Sequence, residues 1–259
     1  MLLAIDVGNT HTVLGLYEGA TLQASWRAAT ERGRTADEWG ALLYTYLATR
    51  GLGLATVQAC ILASVVPPVS MALREMSLRL LGKAALVIEP GLKTGVRLAI
   101  DNPREVGADR VVNTAAAFKR YGGPCIVVDF GTATTFDAVG ADGAYLGGAI
   151  APGLNTAAEA LYRSAARLHA VELIAPRSVI GKNTVSSMQA GIVLGYVALV
   201  EGLIARLKAE LQPGSAGPIP VIATGGLSSL IASETSTITH TAPDLTLDGL
   251  RIIYELNAP

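Results

Sequence analysis

The chain has 259 residues, 51% of them hydrophobic and 16% charged, with a formal net charge of -1 and a mean hydropathy of +0.43. That length holds two compact domains or one large one, and the balanced charge, without a Lys/Arg cluster and with only 3 Phe, 8 Tyr and 2 Trp, argues against nucleic acid as a partner. The apolar bias raises a membrane reading, but charge, Pro or polar residues interrupt every window of about 18 residues, and the longest candidate, Ala190 to Val200, is closed by Glu201, Arg206 and Lys208. That segment reads as a helix buried against another helix, or in a subunit interface. Cys60 and Cys125 lie singly in apolar, strand-like runs, so a disulfide framework is not expected and a reducing compartment fits. The opening MLLAIDVGNT has no basic n-region or cleavage site and reads as a strand, which places the protein in the cytoplasm.

In chain order, strand-like and helix-like segments alternate, the pattern of an α/β protein. Leu2 to Ile5 predicts a buried strand, Thr12 to Tyr17 a second, and the Glu18-Gly19 turn leads into a third, Thr21 to Ala28. Ala36 to Arg50 carries apolar residues at helical spacing; Val57 to Ser64 predicts a strand, and Pro67-Pro68 opens a helix through Leu81. A helix is expected over Val111 to Arg120, then strands at Cys125 to Val128, Thr134 to Val139 and Ala144 to Ile150. Helices at Leu154 to Ala166 and Val185 to Leu211 follow, then an exposed loop at Gln212 to Pro218. The strand Pro220 to Ala223, a Gly225-Gly226 turn and a helix near Leu247 to Leu256 complete the pattern.

The informative feature is an internal echo. Leu3-Ala4-Ile5-Asp6-Val7-Gly8-Asn9-Thr10-His11-Thr12 aligns with Ile126-Val127-Val128-Asp129-Phe130-Gly131-Thr132-Ala133-Thr134-Thr135 at a constant offset of 123, close to half the chain. Both copies read strand, Asp-x-Gly, hydroxyl-rich turn, second strand. The echo implies two similar domains, 1–120 and 121–259, with a nucleotide cleft between them. Turns of Gly and Thr bring backbone N–H groups and hydroxyls close to phosphate oxygens, and a carboxylate just before the turn organises a hydrated cation. Each Asp alone would also fit a hairpin cap; the matched pair favours a two-sided phosphate clamp. There is no P-loop, since Gly181-Lys182-Asn183-Thr184 lacks the upstream Gly and the hydroxyl residue directly after Lys, and no GxGxxG opens a helix.

An ordered set of segments that includes both turns sharpens the reading. Asp6-Val7-Gly8-Asn9-Thr10, Ala63-Ser64-Val65-Val66-Pro67, Asn102-Pro103 leading to Gly107-Ala108-Asp109-Arg110, Asp129 to Thr135, and Gly147-Gly148-Ala149-Ile150-Ala151-Pro152-Gly153, in that order and through Ala223-Thr224-Gly225-Gly226, resemble the type III pantothenate kinases across essentially the whole chain. The resemblance implies an actin-like (ribonuclease H-like) ATPase fold and transfer of a phosphoryl group from ATP to pantothenate, the first step of coenzyme A biosynthesis. It implies that Asp6, Val7, Gly8, Asn9, Thr10, His11, Thr12 and Val13, with Thr132, hold ATP, and that Asp6 positions Mg2+. Asp129 would hold a monovalent cation, K+ or NH4+, and Gly225-Gly226 would lie beside the adenosine. Asp109 would be the catalytic base, with Gly107, Ala108, Arg110 and Thr184 contacting pantothenate in a pocket completed across a homodimer interface. Asp109 and Thr184 have plainer readings as helix caps. The family often has Tyr where this chain has Ile100. His11, His169 and His240 show no metal spacing, Trp26 and Trp39 read as packing residues, and Lys182 reads as a solvated loop lysine. The rival readings are a kinase of the same fold for another small acceptor and a non-catalytic regulatory protein, the latter disfavoured by the intact Asp6, Asp109 and Asp129.

Overall fold

The computed structural model describes residues 1–165, 167–211 and 217–258. The chain divides into two compact units: Met1–Val96, Asn102–Ala116 and Leu245–Pro259 form one, Arg97–Asp101 and Ala117–Asp244 the other.

In the first unit, β1 (Leu2–Val7), β2 (His11–Glu18), β3 (Thr21–Ala29), β4 (Ala59–Ser64) and β5 (Leu86–Val87) form a mixed sheet in the order β3-β2-β1-β4-β5. β1 runs antiparallel to β2 and parallel to β4. Its residues are buried on both faces, as expected of a central strand covered by helices on each side. Leu3, Ile5 and Val7 pack with α1 (Ala36–Ala48) and α2 (Pro67–Leu80) through Trp39, Leu43, Leu47, Val69, Leu73 and Met76. Leu2 and Ala4 face the opposite way, against Val112 and Ala115 of α3 (Ala108–Tyr121) and Leu247, Leu250 and Ile253 of α8 (Leu245–Asn257). Helix α1 starts at a capping box, with Thr35 and Glu38 satisfying each other's backbone N–H groups. The Tyr17 hydroxyl donates to Asp248 Oδ1 at 2.8 Å and ties α8 to β2.

The second unit repeats this topology. β6 (Cys125–Phe130), β7 (Ala133–Val139), β8 (Tyr145–Pro152), β9 (Val221–Thr224) and β10 (His240–Thr241) lie in the order β10-β9-β6-β7-β8, the same sequence of neighbours read from the other edge. The burial strings of β1 and β6 are identical, and β7 repeats the first seven positions of β2. One face is covered by α4 (Leu154–Ser164), by α7 (Ser228–Ala232) and by a continuous helical run of α5 (Thr184–Gln189), a π-helical turn (Ala190–Leu194) and α6 (Gly195–Leu211).

Three expectations change. The run Thr184–Leu211 has 28 residues and by length and composition is able to cross a membrane, so segment length does not decide against a span. Packing accounts for its apolar character instead: Met188, Ile192, Tyr196, Val197, Val200 and Ile204 are core residues of the second unit. The remaining face, Gly191, Gly195, Ala198, Leu199 and Gly202, is exposed and is mostly small rather than uniformly bulky. Helix α3 begins at Ala108, not Val111, because the short 3-10 turn Pro103–Glu105 turns the chain before it. The short elements β5, β10 and α7 are additional to those expected. Most of the expected Gln212–Pro218 loop, Gln212 to Ala216, lies outside the described residues, as does Ala166 at the expected end of α4. Both cysteines are buried, and burial pushes each thiol up to about 12.

Candidate active site

The first turn joins β1 to β2. Asp6 follows Leu2 and Ala4 on the sheet face that packs against α3 and α8, and it is half-buried. In register it sits between Val13 and Ala63, so strands on both sides hold its backbone. The turn is closed by the Gly8 N–H donating to the His11 carbonyl at 2.9 Å. Asn9, Thr10 and His11 are exposed, whereas Thr12 is buried and its hydroxyl shares a 2.9 Å hydrogen bond with that of Thr30.

Far along the chain from this turn comes the Gly107-Ala108-Asp109-Arg110 segment. Asn102 caps the 3-10 turn by accepting from the Arg104 N–H at 3.3 Å, the chain extends through Val106, and α3 then starts. Asp109 is therefore in the first helical turn, where a carboxylate is favoured by the helix dipole. Its Oδ1 accepts the Arg110 N–H at 2.9 Å, which fixes the carboxyl plane; among the described residues Oδ2 makes no hydrogen bond. Gly107, Ala108, Asp109 and Arg110 are all half-buried. Since Val112 of the same helix packs on the face carrying Leu2 and Ala4, Asp6 and Asp109 lie on one side of the first sheet.

The second turn is built like the first, with one change. Asp129 pairs with Thr135 and Phe130 with Thr134, where the first copy pairs Asp6 with Val13 and Val7 with Thr12. The second turn is one residue shorter, so the constant offset of 123 read from the sequence becomes 122 beyond it. Thr132 is thus the structural counterpart of Thr10, and buried Thr134 the counterpart of buried Thr12. Gly131 N–H donates to Ala133 O at 3.1 Å and closes this turn. Thr132 is exposed, while its carbonyl accepts from Gly153 N–H at 3.1 Å and Thr156 Oγ1 at 2.8 Å. Tyr196 of α6 bonds the Thr134 hydroxyl and donates to Pro152 O at 3.2 Å; burial holds this phenol above its ordinary pKa.

Asp129 is half-buried, and its neighbours explain Gly225. That glycine has φ +87, and a Cβ there would stand 2.5 Å from Asp129 Oδ1 and 2.7 Å from the Phe130 backbone. The close approach that a glycine permits at this point is to Asp129 itself. On the same face of the second sheet, Thr135 donates to Asp137 Oδ2 at 3.0 Å and Tyr145 to Asp137 Oδ1 at 3.1 Å. Asp137 is fully buried, and nothing in a strand residue's spacing reveals its hydroxyl partners. These are hard oxygen donors, the set that suits an alkali or alkaline-earth cation rather than a soft metal; no group of three or more His, Cys, Asp or Glu able to hold a metal occurs among the described residues.

Thr184 lies in the second unit, exposed at the rim of a cavity of about 830 Å³ lined also by Leu161, Leu168, Met188, Ile192 and Leu199. It is the first helical residue rather than the cap. The cap is Asn183, whose side chain accepts the Ser186 N–H at 2.9 Å. Lys182 is exposed on the same rim. Ile100 is half-buried, 3.6 Å from the Cβ position of Gly147.

The sequence model of type III pantothenate kinases matches residues 2–206. This chain belongs to the type III pantothenate kinase family. The type III pantothenate kinase of Moorella thermoacetica is 54% identical over 257 residues, covering 99% of this chain and 100% of its own. That of Anaeromyxobacter dehalogenans (strain 2CP-C) is 53% identical over the same span, and that of Geobacter sulfurreducens 52%. Among solved structures, a conserved putative Baf family transcriptional activator from Campylobacter jejuni superposes with a TM-score of 0.62 at 18% identity, covering 98% of both chains. The activator of the 2-hydroxyisocaproyl-CoA dehydratase from Clostridium difficile, with bound ADPNP, superposes with a TM-score of 0.50 at 10% identity over 99% of this chain and 94% of its own. At those identities the structures bear on fold alone. The two mixed five-stranded sheets of this chain are those of an α/β, actin-like ATPase fold.

Gly225→Ala is expected to displace Asp129 or the Phe130 backbone and to force an L-residue into left-handed space, a conformational cost of about 1–2 kcal/mol. The variant should melt several degrees lower and lose most of its kinase activity; calorimetry alongside a turnover assay checks both.

Proposed function

We propose that this member of the family phosphorylates pantothenate with ATP, giving 4'-phosphopantothenate, and that Asp109 is the base. The observation that carries the reading is the state of the Asp109 carboxylate. One oxygen is anchored by the Arg110 N–H, the other makes no hydrogen bond among the described residues, and the residue sits on the same sheet face as Asp6. A carboxylate held by one oxygen presents the second to an incoming hydroxyl without rotating, as in-line phosphoryl transfer requires. Asp109 Oδ2 takes the hydroxyl proton as the alcohol oxygen attacks the γ-phosphorus and the bond to the β,γ-bridging oxygen breaks.

The other roles follow from the chemistry of the residues. The turn from Asp6 to Val13 offers backbone N–H groups and the Thr10 hydroxyl to the phosphates, with Asp6 orienting Mg2+, and Thr132 serves the phosphates from the second turn. Magnesium bound there would neutralise charge developing on the phosphate oxygens. Asp129, flanked by the Thr135 position in register, would hold K+ or NH4+. Gly107, Ala108 and Arg110 bind pantothenate, Arg110 supplying a fixed positive charge for its carboxylate, and Thr184 contacts the same substrate from a second copy of the chain. The apolar cavity at Thr184, with Leu199 37% exposed and Leu161 likewise 37% exposed beside it, supports a homodimer formed through this face. The reduced, buried thiols fit a cytoplasmic enzyme.

Asp109→Asn should keep the wild-type melting temperature and lose about 10²–10⁴ in kcat. Near-normal turnover in a folded variant removes Asp109 from the chemistry. Turnover in sodium-only buffer should fall well below that in potassium; equal rates would take the monovalent cation out of the mechanism. Val197 is a core residue, so the interface is tested at the exposed Leu199. Leu199→Glu should lower the mass measured by light scattering from dimer to monomer and abolish pantothenate turnover with ATP binding retained, whereas a wild-type protein active as a monomer would end the shared-site reading.

A further inference from the structure

The two turns share a brace that lies outside the hairpins. In each unit the residue just after the third strand donates its backbone N–H to the carbonyl of the turn threonine. Thr30, following β3, bonds Thr10 O at 2.9 Å, and Gly153, following β8, bonds Thr132 O at 3.1 Å. The peptides that follow Thr10 and Thr132 are trans, so a carbonyl pinned toward the third strand turns the N–H of His11 or Ala133 the opposite way. A phosphate approaching the turn therefore meets a donor. Were either peptide to flip, it would meet a carbonyl oxygen, and the negative end of that dipole would repel it.

Side chains reinforce the two braces differently. In the first unit the Thr30 hydroxyl bonds the buried Thr12 hydroxyl at 2.9 Å, which ties the brace to the core. In the second unit Gly153 has no side chain, and the added bond comes from Thr156, in the first turn of α4, donating to the Thr132 carbonyl at 2.8 Å. That carbonyl then has both lone pairs engaged. We propose that Thr156 is a positioning residue for ATP: by bonding the Thr132 carbonyl it keeps the second turn in the orientation that receives phosphate. This rests on the assignment of the two turns to ATP made above. The Thr156 hydroxyl bonds the carbonyl of the exposed Thr132, and Thr156 is itself exposed, so its loss acts on the turn rather than on packing.

The test compares Thr156→Val, which keeps the shape and removes the donor, with Thr156→Ser, which keeps the donor. Binding of a non-hydrolysable ATP analogue is measured by calorimetry, beside KM and kcat for each substrate. Losing one hydrogen bond of ordinary strength should weaken analogue binding about 3- to 10-fold in the valine variant and raise KM for ATP by a similar factor. KM for pantothenate should stay at the wild-type value, and the serine variant should bind the analogue like wild type. Wild-type affinity in Thr156→Val overturns the proposal, as does equal weakening by valine and serine. A wild-type protein that binds no analogue would instead overturn the ATP assignment itself and the positioning role with it, so the two failures are told apart by the wild-type titration.

Discussion

Each sheet depends on a central strand that is paired on both sides and buried on both faces. β1 is locked to β2 and β4 along its whole length, and β6 to β7 along its whole length and to β9 from Ile126 to Asp129. A one-residue slip of either strand would exchange its two faces and place a carboxylate in an apolar core. Asp6 and Asp129 are the penultimate residues of these strands. Their backbone position is thus set by the register of the whole sheet rather than by local turn chemistry, and a charge can be held there half-buried without the loop around it needing to be rigid. A kinase that works by placement and electrostatics more than by covalent chemistry needs this kind of fixed carboxylate.

Duplication of the frame has not produced two equal halves. The sheet order and burial of the first unit recur in the second, but the turn is one residue shorter, and the brace on its carbonyl borrows a hydroxyl from α4 where the first unit uses a hydroxyl pair in its own sheet. The faces differ as well. The first sheet packs its Asp6 face with α3 and α8, whereas the second carries Asp129, Thr135, Asp137 and Tyr145 there, a polar stripe with buried hydrogen bonds. One frame therefore sets the helix that carries Asp109 on the same side of the sheet as its carboxylate, and the other places hydroxyls on the face of its own.

Much of this was legible in the sequence because the relevant signals are local. Short apolar runs, Gly and Pro breakers and the repeated Asp-x-Gly mark the strands and both turns, and the main helices lie where the spacing predicts them. What was not legible is tertiary or too short to be periodic. β5 and β10 have two residues each and α7 has five, below the length at which a pattern can form. Thr132, Ala133, Thr134 and Thr135 are so alike that their register against β6 cannot be read, hence the misplaced residue in the repeat. Asn183 and Thr184 are both good caps, and only the backbone decides between them. Val197 looks as apolar as Leu199, yet one is core and the other exposed. The Thr156 bond joins residues 24 apart through a fold contact, and Asp137 carries no motif at all.

The position of α8 has a consequence for the order in which the molecule is made. Leu247, Leu250 and Ile253 fill the face of the first sheet that carries Leu2, Ala4, Tyr17, Ile61 and Ala63. During synthesis, from the N-terminus onward, the first sheet is translated early, but that face has only Val112 and Ala115 of α3 to cover it until α8 leaves the ribosome. The second unit, almost contiguous from Ala117 to Asp244, has its own core in hand sooner. The half of the chain that is translated first is therefore the half that finishes folding last, and while it waits it presents apolar sheet to the cell, the state in which nascent chains recruit chaperones or aggregate.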